Sequence, residues 1–286
     1  MTSFPTGPSC HFDEDTETIR IVQHPGQGFF SCCTIHLQRI VQYVNQYQKW
    51  PRKVDSTQQF MWYKTPAKWL EDIKHDYFEL PAVPDHQEQN PTDVVQKKLA
   101  VTDVDQEEQY SDYAQLNYTA LKPLMQRYFT PTPAIRDIMT HLEQKYRIDP
   151  ENTCALFYRG NDKVTEIGLP EYSQYIYVGR QLLNLNPGIR FLVQSDETEF
   201  LDAMKAEFPT NHIICYDEIR HIASNPTTLV DKVFPEQNAV MSKNFLAIIL
   251  TMAKCKYVVC GSGNCSFWMA LFRGHSDGLV QFNYRT

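Results

Sequence analysis

The sequence predicts an α/β protein of two lobes, the second built on a parallel, doubly wound sheet. Three observations lead there. Short apolar runs rich in β-branched and aromatic residues alternate with helix-period segments after residue 150, a proline-marked break precedes that region, and a strand, a glycine turn and a helix open the chain.

The runs at 154–158, 190–194, 212–215 and 257–260 read as strands, and the segments 171–183, 197–208, 242–253 and 266–272 read as the helices between and after them. Such alternation implies a parallel sheet, whose ligands bind beyond the carboxyl ends of the strands. The residues just after each strand are therefore the ones to inspect. The break is Tyr128-Phe-Thr-Pro-Thr-Pro133, after which Thr132 and Pro133 suit the start of a helix carrying Ile135, Ile138, Met139 and Leu142. A boundary there gives lobes of 1–130 and 131–286.

In the first lobe, 18–23 has strand composition, and Ile35, Leu37, Ile40, Val41 and Val44 mark a helix. Between them, 24–31 has the form of a Rossmann-like strand-to-helix corner, and Gly26, Gln27 and Gly28 are candidate ligand contacts. A tight turn and nothing more explains the same residues equally well. Further short strands are expected at 60–63 and 77–80, and 81–113 reads as a polar, acidic surface excursion and a place for acceptor contacts.

At 42% hydrophobic and 13% aromatic over 286 residues, the chain can bury a substantial core. Its 34 acidic and 27 basic residues give a formal charge of −7, the wrong sign for gripping a nucleic-acid backbone. No apolar run reaches the ~20 residues that span a bilayer, and the opening Met1-Thr-Ser-Phe-Pro5 lacks the pattern of a secretory signal, so a cytoplasmic protein is expected. Cys154, Cys215, Cys255 and Cys260 lie in or beside apolar runs and read as core thiols, and the adjacent pair Cys32-Cys33 lacks the spacing of a zinc or redox site.

Three strand ends carry chemistry. Arg159-Gly-Asn-Asp-Lys-Val-Thr-Glu166 places a guanidinium, suited to bidentate bonds with a diphosphate, beside a glycine. Ser195-Asp196-Glu197 offers carboxylates to a nucleobase or ribose, or simply caps the next helix. Ser262-Gly263-Asn264-Cys265-Ser266 opens a helix with small residues that expose backbone N–H groups to an anion, or serves only as its N-cap.

These three segments resemble, in order and spacing over roughly the C-terminal half, motifs of the α1,6-fucosyltransferase and protein O-fucosyltransferase superfamily. The resemblance implies a GT-B glycosyltransferase with a donor cleft between two Rossmann-like lobes. It assigns the β-phosphate to Arg159, the base to Asp196 or Glu197, the diphosphate to Ser262, Gly263, Asn264, Cys265 and Ser266, and activation of the acceptor to Glu166, with Asp162 and Lys163 beside it. Family members usually carry a histidine where this chain has Phe157 and often a second arginine where it has Gly160. That histidine is implicated in reading guanine, so Phe157 joins the candidate set. GDP-fucose is the implied donor, with a UDP-sugar such as UDP-xylose as the alternative.

Inverting transfer needs a base for the acceptor hydroxyl and stabilisation of charge on the departing diphosphate. Glu166 would serve as the first, and Arg159 with the helix start as the second. Asp103-Val104-Asp105 has the letters of a DxD motif but lies in the polar excursion, away from any strand end, so no divalent metal and no cofactor are expected. The rival readings are a nicotinamide-dependent oxidoreductase, against which the missing GxGxxG counts, and a nucleotide- or sugar-binding module without activity.

Overall fold

A computed structural model describes residues 10–22, 27–80 and 106–284. They fall into two units, Met1–Glu108 with Asn117–Thr132, and Gln109–Leu116 with Pro133–Thr286. No helix among the described residues is long and apolar enough to cross a membrane.

In the first unit β1 (Cys10–Asp13) runs antiparallel to β2 (Thr18–Ile21), α1 (Phe29–Tyr47) crosses over, and β3 (Lys53–Asp55) returns parallel to β2. All five apolar positions that marked α1 in the sequence are buried. Among the described residues this unit holds that single parallel crossover, where a full Rossmann-like sheet was expected. The two further strands also differ. Met61–Tyr63 is a 3₁₀ turn entered through Phe60 at φ 56°, and Phe78 makes only an isolated bridge to Pro131. Aromatic residues raised the strand expectation at both places. Their rings instead close a cluster around Phe29, with centroids 5.4 Å from Phe60, 5.6 Å from Tyr63 and 4.8 Å from Tyr77. The helix α2 (Tyr118–Tyr128) follows and buries Leu121, Leu124 and Met125.

The second unit opens, after its Gln109–Leu116 segment, with α3 (Pro133–Lys145), whose Ile135, Met139 and Leu142 are buried. Then come β4 (Thr153–Tyr158), α4 (Tyr172–Leu185), β5 (Arg190–Ser195), α5 (Thr198–Glu207) and β6 (His212–Ile213). The chain continues through α6 (Asn238–Lys254), β7 (Tyr257–Gly261), α7 (Asn264–Arg273) and β8 (Leu279–Phe282). The sheet order is β6-β5-β4-β7-β8 and every pairing is parallel. All six residues of β4 are buried, as befits a central strand covered on both faces. The strand β8 was not expected. The helix α3 packs on α6, α6 on α7, and α4 on α5.

The strand order turns back on itself between β4, which leads to β5 and β6, and β7, which leads to β8. Such a switch point leaves a crevice at the carboxyl ends, because the connections leave β4 and β7 toward opposite faces. Arg159 follows β4 there, and Ser262 follows β7.

Candidate functional site

Gly160 begins the loop after β4 and has no room for a side chain: a Cβ there would lie 2.3 Å from Glu197 Oε2. That close approach brings the β4 loop against the start of α5. Asp196 then fastens the two, accepting hydrogen bonds from Gly160 N at 2.8 Å and from Asn161 Nδ2 at 2.9 Å and pairing with the Arg159 guanidinium. Arg159 also donates to Asp162 Oδ1 at 2.6 Å. The arginine is thus held between two carboxylates, Asp162 the more exposed at 20% against 11% for Asp196.

Glu197 is 3% exposed and accepts a hydrogen bond from Tyr172 OH at 2.8 Å. Its neighbours Tyr158 and Tyr172 meet edge to face at 5.1 Å, and Tyr158 stacks on Phe200 at 4.8 Å. Burial, followed by the Glu197 carboxylate, pushes both phenols upward, so they remain neutral donors at physiological pH. An open cleft of about 660 Å³ lies here, bordered by Tyr158, Asn161, Tyr172, Glu197, Ser224 and Pro226. It combines aromatic walls with a carboxylate floor, the composition of a small-molecule site. Tyr158 and Tyr172 carried no sequence signal of their own, and Asn161 entered only as part of the 159–166 segment. Their place at the cleft comes from the end of β4, the loop after it and the start of α4.

Along the same loop, Lys163 is 6% exposed and donates to Glu166 Oε2 at 2.5 Å, to Gln109 Oε1 at 3.0 Å and to Tyr110 OH at 3.3 Å. Tyr110 OH donates to Glu166 Oε2 at 2.7 Å. Burial works to raise the Glu166 carboxyl, and the Lys163 ammonium, the Tyr110 hydroxyl and Arg159 outweigh it, holding the group ionised below its usual range.

The start of α7 is engaged. Gly263 N donates to Gln109 O at 2.9 Å, and Asn264 N donates to Gln109 Oε1 at 3.1 Å. Tyr113, fully buried, donates its hydroxyl to Gln109 O at 2.7 Å and reaches Gly263 O at 3.2 Å. Gln109 and Tyr113 therefore depart from the expectation of a surface excursion over 81–113. Buried polar groups must find partners, and here these are the α7 amides. Residues 81–105 of that excursion, Asp103 and Asp105 among them, lie outside the described residues.

The structure thus gathers Arg159, Asp162, Lys163, Glu166, Asp196 and Glu197 on the β4 and β5 loops, with Ser262, Gly263 and Asn264 across the switch point. Phe157 is 2% exposed within β4, and its backbone carbonyl accepts from Tyr175 OH at 3.0 Å. Ser195 ends β5 fully buried, its Oγ accepting from Glu197 N two residues on at 2.9 Å, while the N-cap of α5 is Glu197, which makes no side-chain cap bond. The Ser266 side chain is 3% exposed, and burial pushes the Cys265 thiol up to about 11, so that thiol stays protonated. Gln27 and Gly28 lie in the first unit at the entry to α1, where a Cβ on Gly28 would meet nothing within 4 Å, so packing does not require that glycine. Gly26 lies outside the described residues. Among those described, no group of three or more His, Cys, Asp or Glu is placed to hold a metal ion.

No family model matches the chain, and no curated protein matches it. Among solved structures it is similar to that of the NodZ α1,6-fucosyltransferase soaked with GDP-fucose, at 14% identity and a TM-score of 0.37. The match covers 55% of this chain and 47% of that one, so the chain spans about half the length of the protein it resembles. At that score the site has to be read from its own residues.

Proposed function

We propose that the chain is an inverting glycosyltransferase that takes a nucleotide sugar at the carboxyl ends of β4 and β5 and passes the sugar to a glycan hydroxyl. The observation that carries this reading is the cleft of about 660 Å³ ending on a buried carboxylate between two tyrosines, with Arg159 and the Lys163–Glu166 pair on the same loop. Each feature suits one part of the substrate. The Tyr158 and Tyr172 rings offer faces and edges to a nucleobase, and Glu197 accepts from its ring N–H groups. Arg159 suits a diphosphate through its fork of N–H donors.

In the reaction the acceptor oxygen forms a bond to the anomeric carbon while the bond from that carbon to the diphosphate oxygen breaks. The electron pair leaves with the diphosphate, and the acceptor proton passes to Glu166. Arg159 stabilises the departing charge once a phosphate oxygen replaces Asp162, the more exposed of its two partners. The cationic side chains perform the role that a divalent metal fills elsewhere, so no metal is required in this reading. Guanine presents two adjacent N–H donors to a carboxylate and uracil one, which favours a GDP-sugar, in keeping with GDP-fucose, over a UDP-sugar such as UDP-xylose.

Replacing Arg159 by Lys is expected to weaken GDP or UDP binding by ~1 to 3 kcal/mol, because a point charge cannot reproduce the bidentate fork. Calorimetry on the purified chain reads this directly. An affinity for both nucleotides that is unchanged in the variant removes Arg159 from the site, and release of free sugar from a panel of nucleotide sugars identifies the donor.

A further inference from the structure

The Glu166 side chain is 43% exposed, yet one of its oxygens is tightly held. Oε2 accepts from Lys163 Nζ at 2.5 Å and from Tyr110 OH at 2.7 Å, whereas Oε1 receives no hydrogen bond among the described residues. The two donors are also joined to each other, since the Lys163 ammonium donates to Tyr110 OH at 3.3 Å and sits 4.9 Å from the centre of its ring.

Tyr110 belongs to the Gln109–Leu116 segment, which is fastened without any help from Glu166. Gln109 O accepts from Gly263 N, and Gln109 Oε1 accepts from Asn264 N at 3.1 Å. On the other side, Asn283 Nδ2 donates to Tyr110 O at 3.0 Å, and Gln281 Nε2 donates to Ser111 O at 2.9 Å. Bound to α7 on one side and to β8 and its continuation on the other, the segment delivers the Tyr110 hydroxyl at a fixed point.

We propose that Tyr110 is a positioning residue, which with Lys163 immobilises Glu166 Oε2 so that Oε1 is the atom that takes the proton of the acceptor. The role of Oε1 rests on the transferase reading above, and the immobilisation stands apart from it. The terminal torsion of a glutamate is broad and nearly two-fold, so an untethered carboxylate presents either oxygen in many directions. Two donors on Oε2 remove that freedom before the acceptor arrives, and prior orientation lowers the barrier to transfer. They also favour the ionised form, together with the Arg159 guanidinium.

Tyr110→Phe keeps the ring beneath the Lys163 ammonium and removes only the hydroxyl, so it tests this directly. With ¹³C-labelled glutamate carboxyls, and Glu166→Gln to assign the resonance, the Glu166 midpoint is expected to rise by about 0.5 to 1 pH unit in Tyr110→Phe. The acid limb of kcat/KM should move by the same amount, with a several-fold lower plateau kcat and an unchanged KM for the donor. An unchanged midpoint overturns the positioning role, whatever the activity does. A shifted midpoint alongside near-normal turnover by Glu166→Gln leaves Tyr110 positioning a carboxylate that is not the base, and then it is the transferase reading of Glu166 that fails.

Discussion

Glu166→Gln keeps the side-chain shape and both neighbouring donors but removes the basicity. Transfer is expected to fall by roughly 10² to 10⁴-fold while donor binding changes little, as measured by turnover and calorimetry on the same preparation. Near-normal turnover by the folded variant would place the base elsewhere. Glu166 was legible in the sequence only through its neighbours, since an isolated loop glutamate is more often a cap or a solvated group, and it was the Arg159 and Lys163 context that singled it out. Tyr110, Tyr158 and Tyr172 were not legible, because a tyrosine has no spacing rule tying it to a carboxylate that is 56, 39 or 25 residues away. Phe157 was legible for the opposite reason. It stood at a position that a motif made important, and it lies in a strand whose six residues are all buried.

At the scale of elements, the start of α7 depends on one backbone geometry. Gly263 has φ 147° and ψ 166°, a region only glycine occupies readily, and a Cβ there would lie 3.0 Å from Lys163 Cε. Gly263→Ala is expected to cost about 1 to 3 kcal/mol of stability by thermal or denaturant unfolding. It should also disturb Glu166 through Lys163, so a variant that melts like the parent and titrates Glu166 normally would show that this corner tolerates a side chain. The strand and helix alternation of the second unit was readable because five- and six-residue apolar runs in a buried parallel strand differ in length and composition from the amphipathic helices between them. The short β8 was missed because it follows a helix after a brief polar turn and lies at the sheet edge, where one side of its backbone has no ladder partner. The aromatic runs near Phe60 and Tyr77 were read as strands because composition reports burial and leaves the backbone path open.

For the molecule as a whole, the first unit carries a pH sensitivity unrelated to the proposed chemistry. His36 is 1% exposed, and burial, then the Lys74 ammonium, pushes its pKa down. In the unfolded chain the same imidazole titrates near ~6.5. Between that value and the depressed folded one, the unfolded state binds the extra proton, so stability is complete above about pH 6.5 and falls as pH drops, by at most ~1.4 kcal/mol per pH unit from this group. Asp72, whose burial is outweighed by Lys74 and Ser56, is lowered as well and adds a loss at still lower pH. Denaturant unfolding between pH 7.5 and 5 should show this slope, and His36→Leu should flatten it, whereas an identical slope in the variant would assign it to other groups. The sequence by itself determined the class of the second unit, its parallel sheet and the places where its strands end, because period and composition report local burial and strand ends follow from them. Only the tertiary structure decided which groups share a partner: Asp196 with Arg159 and Gly160, Glu197 with Tyr172, and Glu166 with Lys163 and a tyrosine from a polar segment. Those pairings join residues 3 to 56 positions apart through sheet order and hydrogen-bond satisfaction, which a linear pattern does not encode.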